Sequence, residues 1–164
     1  MKSPLFLFFA ALLVSACAET AVDESFETSL ALTGDMLFEG SNTLQAAAAL
    51  TPDQVAEHAG TATKNLKKIG VAEAVMRMDD AQAKITESLL LQIVSDNNNL
   101  ATVGTLSPLP ASGMLKLNVS ERIDLLPYLN DQGATWVLDL NLTENHIEDM
   151  TVNGQITFRT EYNE

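Results

Sequence analysis

Two histidines and twenty-two carboxylates are the side chains best able to do chemistry in this sequence, and their spacing is the first question. His146 sits in the run Thr143-Glu144-Asn145-His146-Ile147-Glu148-Asp149. With Glu144, Glu148 and Asp149 it could hold a divalent ion or serve a metal-dependent hydrolase. The spacing matches no established ligand set, and a solvated connection between two strands fits it better. His58 follows Glu57 beside an apolar helical stripe and reads as a boundary residue. Asp96-Asn97-Asn98-Asn99 and Asn130-Asp131 offer the hard oxygens that calcium prefers. Neither has the ordered acidic loop and distal glutamate of an EF-hand, and Asn and Asp are ordinary turn formers. There is no G-x-S-x-G elbow, no glycine-rich phosphate loop and no H-E-x-x-H helix. The expectation is a domain without catalytic residues, bound metal or cofactor. Met36, Met76, Met78 and Met150 fall on apolar faces and read as gap-filling core residues, as does Trp136.

The single cysteine carries the strongest motif. Lys2 gives a positive start, residues 5–14 (LFLFFAALLV) are an unbroken apolar run, and Val14-Ser15-Ala16 precede Cys17. The run is shorter than the roughly 20 residues a helix needs to span a bilayer and has the length of a signal-peptide core. Val14-Ser15-Ala16-Cys17 resembles the lipobox of bacterial lipoproteins. That resemblance implies cleavage before Cys17, acylation of its thiol and anchoring to a membrane. Ala18 stands where an aspartate would resemble the inner-membrane retention signal, so the outer membrane is implied. Acylation also accounts for a lone thiol in an exported chain, where no intrachain disulfide can form. A competing site, Ala16-Cys17-Ala18, would cut before Glu19 and leave a soluble periplasmic or secreted protein.

These readings divide the chain into a signal, 1–16, an acylated tether, 17–24, and one domain, 25–164, long enough for a single core. The formal net charge of −13 becomes one unit more negative when Lys2 is removed. Such a surface repels nucleic acid and anionic headgroups, so the partners expected are the membrane, through the acyl chains on Cys17, and an envelope protein. Lys64, Lys67 and Lys68 form the one basic cluster and read as cations at a helix end.

The domain must be built largely from strands. Phe26, Thr28, Leu30 and Leu32 alternate with polar residues as in a half-buried strand, and Met36 and Phe38 continue the alternation into an expected second strand. The clearest helix is expected over 51–69: Thr51-Pro52-Asp53-Gln54 is a capping box with proline at the first turn. Val55, Ala59, Ala62, Leu66 and Ile69 form its stripe, and Gly70 supplies a stop. A strand follows over 71–78, with Ala72, Ala74, Met76 and Met78 on one face. Residues 79–95 are ambiguous: Asp79 and Gln82 suit another capping box, whereas 89–94 (LLLQIV) suits a strand, the reading preferred. Leu115, Leu117 and Val119 make a further inward face. Ser120 opens a short helical turn that Pro127 limits. Trp136, Leu138, Leu140 and Leu142 alternate most cleanly. Asn153-Gly154 invites a hairpin, but that would mix polar and apolar residues on each face. One straight strand keeps Met150, Val152, Ile156, Phe158 and Tyr162 together.

Seven or eight strands and one inserted helix predict an antiparallel β-sandwich. In outline, and without a diagnostic motif, it resembles the immunoglobulin-like sandwiches of exported lipoproteins. The function expected is a structural or protein-interaction module of the envelope, without catalysis. The alternatives are a carrier of a small molecule or lipid, for which Ala72 and Ala74 would make room, and an enzyme centred on His146.

Overall fold

The computed structural model describes residues 22–110 and 114–163. Cys17, the signal and the start of the tether lie outside these residues. The domain is mainly β, broadly sandwich-like, with nine strands in one antiparallel sheet that rolls almost into a barrel. The strands are β1 (Val22–Gly34), β2 (Gly40–Ala47), β3 (Leu66–Arg77), β4 (Thr86–Val94), β5 (Ala101–Leu106), β6 (Leu115–Lys116), β7 (Asn118–Val119), β8 (Thr135–Leu142) and β9 (Met150–Tyr162). They lie in the order β6-β3-β9-β1-β2-β8-β4-β5-β7.

The two ends of that order are halves of one short segment. Leu115 and Lys116 pair with β3, whereas Asn118 and Val119 pair with β5. Between them the Leu117 N–H donates to the Ala74 carbonyl at 2.9 Å, and the Ser120 N–H to Val103 at 2.8 Å. Leu115 and Leu117 are buried, so a five-residue segment seals the sheet edges from both sides.

Period-two patterning placed most inward residues correctly. Leu32, Met76, Leu138, Val152 and Ile156 are fully buried, each worth about 1.5–3 kcal/mol relative to exposure. β9 is straight and pairs with β1 along its whole length, from Val22↔Tyr162 to Gly34↔Met150. Gly154 faces inward opposite Leu30 on β1 and Met76 on β3. A β-carbon there would lie 3.0 Å from Leu30 Cγ and from Met76 Sδ. Asn153-Gly154 is therefore a close-packing position, where the missing side chain admits two neighbours, and not a hairpin.

The helix expected over 51–69 is a correction. Only α1 (Pro52–His58) is α-helical, with both hydrogen bonds of the Thr51–Gln54 capping box formed. Gly60, at φ 65°, ends it about three turns early, because a left-handed residue stops the helix wherever it occurs. A 3-10 turn (Thr63–Asn65) follows, and Leu66 and Ile69 belong to β3. Lys67 and Lys68 are thus strand residues and not helix-end cations. Residues 79–95 combine both alternatives: α2 (Asp80–Ile85), capped reciprocally by Asp79 and Gln82, runs directly into β4. Ala72 is exposed because the β3–β9 register shifts between Val71 and Glu73, while Ala74 stays buried.

Met36 and Phe38 do not start a strand. Met36 has φ 46°, both side chains are exposed, and Leu37 is the buried residue. Leu37 and His146 exchange backbone hydrogen bonds of 2.8 Å in each direction, which sets the phase of this loop. Met36 is accordingly not a core methionine. Pro127 lies in the first turn of α3 (Leu126–Leu129) and does not end it, since an N–H is dispensable there.

Candidate functional site

Where the sheet is least closed, β1 and β2 share one ladder pair, Thr33↔Gln45. From that pair toward the start of β1 and the end of β2 the strands splay. Alternate residues of a strand turn their N–H and C=O groups to opposite edges. Along β1 the edge toward β9 is fully paired, while beyond Thr33 the edge toward β2 has no ladder partner among the described residues. The chain leaving β2 crosses the wide end of this wedge as α1 on its way to β3, because β9 and β1 lie between those strands in the sheet.

The seam opens onto a pocket of about 420 Å3. Buried Trp136 and Phe158 line it, with Leu30, Ala46 and Leu50 also contributing. Gln54 and His58 of α1 line the helix side. An aromatic series connects mouth to core. The His58 ring stacks on Phe26 with centroids 4.9 Å apart and planes 6° apart. Phe26 stacks on Phe158 at 5.3 Å, and Phe158 meets Trp136 at 6.5 Å with the rings tilted. Such pairs add about 0.5–1.5 kcal/mol beyond their burial. His58, read from sequence as a boundary residue, is one: exposed on α1, with its ring committed to Phe26.

The candidate calcium ligands come together, but as hydrogen-bond partners. Asp131 Oδ2 accepts from the Asn97 N–H at 2.6 Å and from Ser95 Oγ at 2.9 Å. Its Oδ1 accepts from Asn97 Nδ2 at 2.7 Å and from the Gln132 N–H at 2.9 Å. The Asn97 N–H and side-chain amide, then Ser95 and Gln132, outweigh desolvation and hold the carboxyl down to about 2 from the ordinary 3.8. Both oxygens face donors, the arrangement of a staple between the β4–β5 turn and the loop before β8. Among the described residues no group of three or more His, Cys, Asp or Glu side chains is arranged to hold a metal ion.

His146 is half-buried, its backbone engaged with Leu37, and its Nε2 has no hydrogen-bond partner. Asn145 Oδ1 accepts from the Glu39 N–H at 2.9 Å, so this run ties the β8–β9 connection to the β1–β2 loop. Cys17, the expected lipidation site, lies outside the described residues. Residues 111–113, in the loop after β5, do so too. Of the residues that form the seam, the sequence marked Trp136, Phe158 and Leu30 only as core. A shared face cannot reveal that two consecutive strands fail to pair.

No family model and no curated protein matches the chain. Among the solved structures similar to it are two of viral proteins. One, from Desmodium yellow mottle tymovirus, has 12% identity and a TM-score of 0.35, covering 87% of this chain and 90% of that one. The other, the decameric BFDV capsid protein, has 10% identity and a TM-score of 0.35, covering 88% of this chain and 100% of that one. Likeness at that level says nothing of what this chain binds. No helix among the described residues is long and apolar enough to cross a membrane.

Proposed function

We propose that the chain is a non-catalytic binding module of a bacterial cell envelope, held to the outer membrane through acyl chains on Cys17 and working through the seam between β1 and β2. The observation that carries this reading is the seam: a strand edge left without a ladder partner beside a pocket whose wall joins Trp136, Phe158, Leu30 and Leu50 to the polar Thr28, Ser29, Gln54 and His58. Free edges are normally covered or blunted, because they pair readily with other chains, and pockets in barrel mouths are favoured ligand sites. A protein partner would meet the exposed outer rim of the seam at Ala31, Ala47 and Ala49, since α1 closes its wide end to an added strand. The second reading, a small-molecule or lipid carrier, is favoured by the pocket, whose volume falls within the range of about 300–1,000 Å3 usual for such sites. Acylation supplies the anchor, each buried methylene contributing about 0.8 kcal/mol.

The test is the native mass of the protein extracted from its host's membranes. The reading predicts residues 17–164 plus acyl groups, together with a non-covalently bound species that is lost in Ala46→Phe, which fills the seam. A chain beginning at Glu19 removes the anchor. A bound species unaffected by Ala46→Phe, or none at all, removes the seam as the site.

A further inference from the structure

We infer that the seam pocket takes an uncharged, largely apolar small molecule, and not an anionic amphiphile or a peptide strand. The inference rests on the seam being the binding site, as proposed above, and adds the chemistry of the occupant.

Charge is the first argument. The chain is 19% charged and carries a formal −13, yet no Asp, Glu, Lys or Arg lines this pocket. An anion placed there would give up its hydration and find no lysine or arginine, His58, whose ring is stacked on Phe26, being the one ionisable side chain on the wall. The acidic surface opposes its approach as well. Fatty acids and other carboxylate or sulfonate ligands are thereby selected against, although the apolar wall would suit their tails.

Polarity is the second argument. A neutral hydroxyl, amide or ester can be matched here. The Thr28 side chain lines the pocket, and the β1 edge toward β2 lacks ladder partners over most of its length. Apolar contact comes from the buried Trp136 and Phe158 with Leu30 and Leu50.

Shape is the third. A strand added along β1 would continue toward Phe26, but α1 closes that end of the wedge. Ala49, Leu50, Gln54 and His58 all line the pocket, and the His58 ring stacks on Phe26. The space is bounded lengthwise, as a small-molecule site is, and does not run on as a groove.

Trp136 is the only tryptophan in the sequence and it lines the pocket, so the protein carries its own reporter. The processed chain with Cys17→Ser, free of acyl groups and detergent, is titrated with N-phenyl-1-naphthylamine. A parallel titration uses 1-anilinonaphthalene-8-sulfonate, which has the same ring frame with an added anion. The expected result is saturable one-site energy transfer from Trp136 to the neutral probe, with the sulfonate binding at least about tenfold more weakly. Ala46→Phe, and Ala49→Phe at the exposed edge as a second filling variant, should each weaken the neutral probe by about tenfold or more. At least the exposed Ala49 variant should leave the melting midpoint unchanged. Equal binding of the two probes, or neutral-probe binding indifferent to both variants, overturns the inference. If the neutral probe fails while host-extracted protein still holds a species displaced by Ala46→Phe, the ligand class falls and the seam stands. If both are absent, the seam falls with it.

Discussion

The rolled sheet meets itself differently at two places. Between β3 and β5 the segment from Leu115 to Val119 hydrogen-bonds to both sides and drives Leu115 and Leu117 into the core. Between β1 and β2, consecutive strands in the chain, the ladder is reduced to one pair and side chains line the gap. The contrast shows that chain proximity does not close a sheet. What closes it is a segment able to satisfy the backbone groups of both edges at once, and where none is available the opening persists as a pocket.

The sharpest way to break this contrast is to truncate the seal. Leu117→Ala should cost about 3 kcal/mol, as large buried deletions do, and lower the melting midpoint by roughly 10 °C. Leu30→Ala, on the half-buried seam wall, should cost no more than about half as much. Paired thermal melts check this, and equal losses would mean that the two junctions are equivalent. Gly104→Ala probes the seal by addition: its β-carbon would lie 3.1 Å from Leu117 Cβ, and overpacking of this kind costs about 1–3 kcal/mol. Denaturant midpoints would show the loss.

Asp131 separates rim rigidity from core packing. Its carboxyl is held below the ordinary value by donors present only in the fold, so its ionised form favours the folded chain. That contribution is fully present above the ordinary 3.8 and is lost as pH falls through about 2. Asp131→Asn should therefore lower the melting midpoint at neutral pH, with the gap to the unaltered protein narrowing across that acid window. A gap constant with pH would show that the staple does not depend on charge. The smallest effect is expected at His58. Removing its stack on Phe26 in His58→Ala should cost at most about 1 kcal/mol, measured as a slight shift in denaturant midpoint.

How much was legible follows from the same contrast. Alternation along β8 and β9 identified Trp136, Leu138, Val152 and Phe158 as inward because burial on one face leaves a period of two. The continuity of β9 through Asn153-Gly154 was legible from the same face, although the reason, Leu30 and Met76 crowding Gly154, comes from strands distant in sequence. The helix expected over 51–69 ends at His58 because Gly60 takes a left-handed backbone, while Leu66 and Ile69 continue its apolar stripe by coincidence as strand residues. Met36 and Phe38 were misread because the alternation from β1 runs through a turn whose phase is reset by Leu37 and His146. The seam had no local signature: Leu30 looks like any strand residue, Ala46 opens an alanine run as suited to helix as to strand, and only the long-range pairings leave a gap between them. The Asp131 staple was half legible, since both its turns were named but not their meeting.

Residue-resolved amide hydrogen exchange on the ligand-free protein tests the open seam most directly. Every second amide between residues 25 and 31, those turned toward β2, should exchange at nearly the rate of an open chain. Their neighbours bonded to β9, and the amides of Leu117 and Ser120 in the seal, should be protected. Uniform protection of all amides from 25 to 31 would mean that β1 and β2 are closed against each other, and would contradict the account.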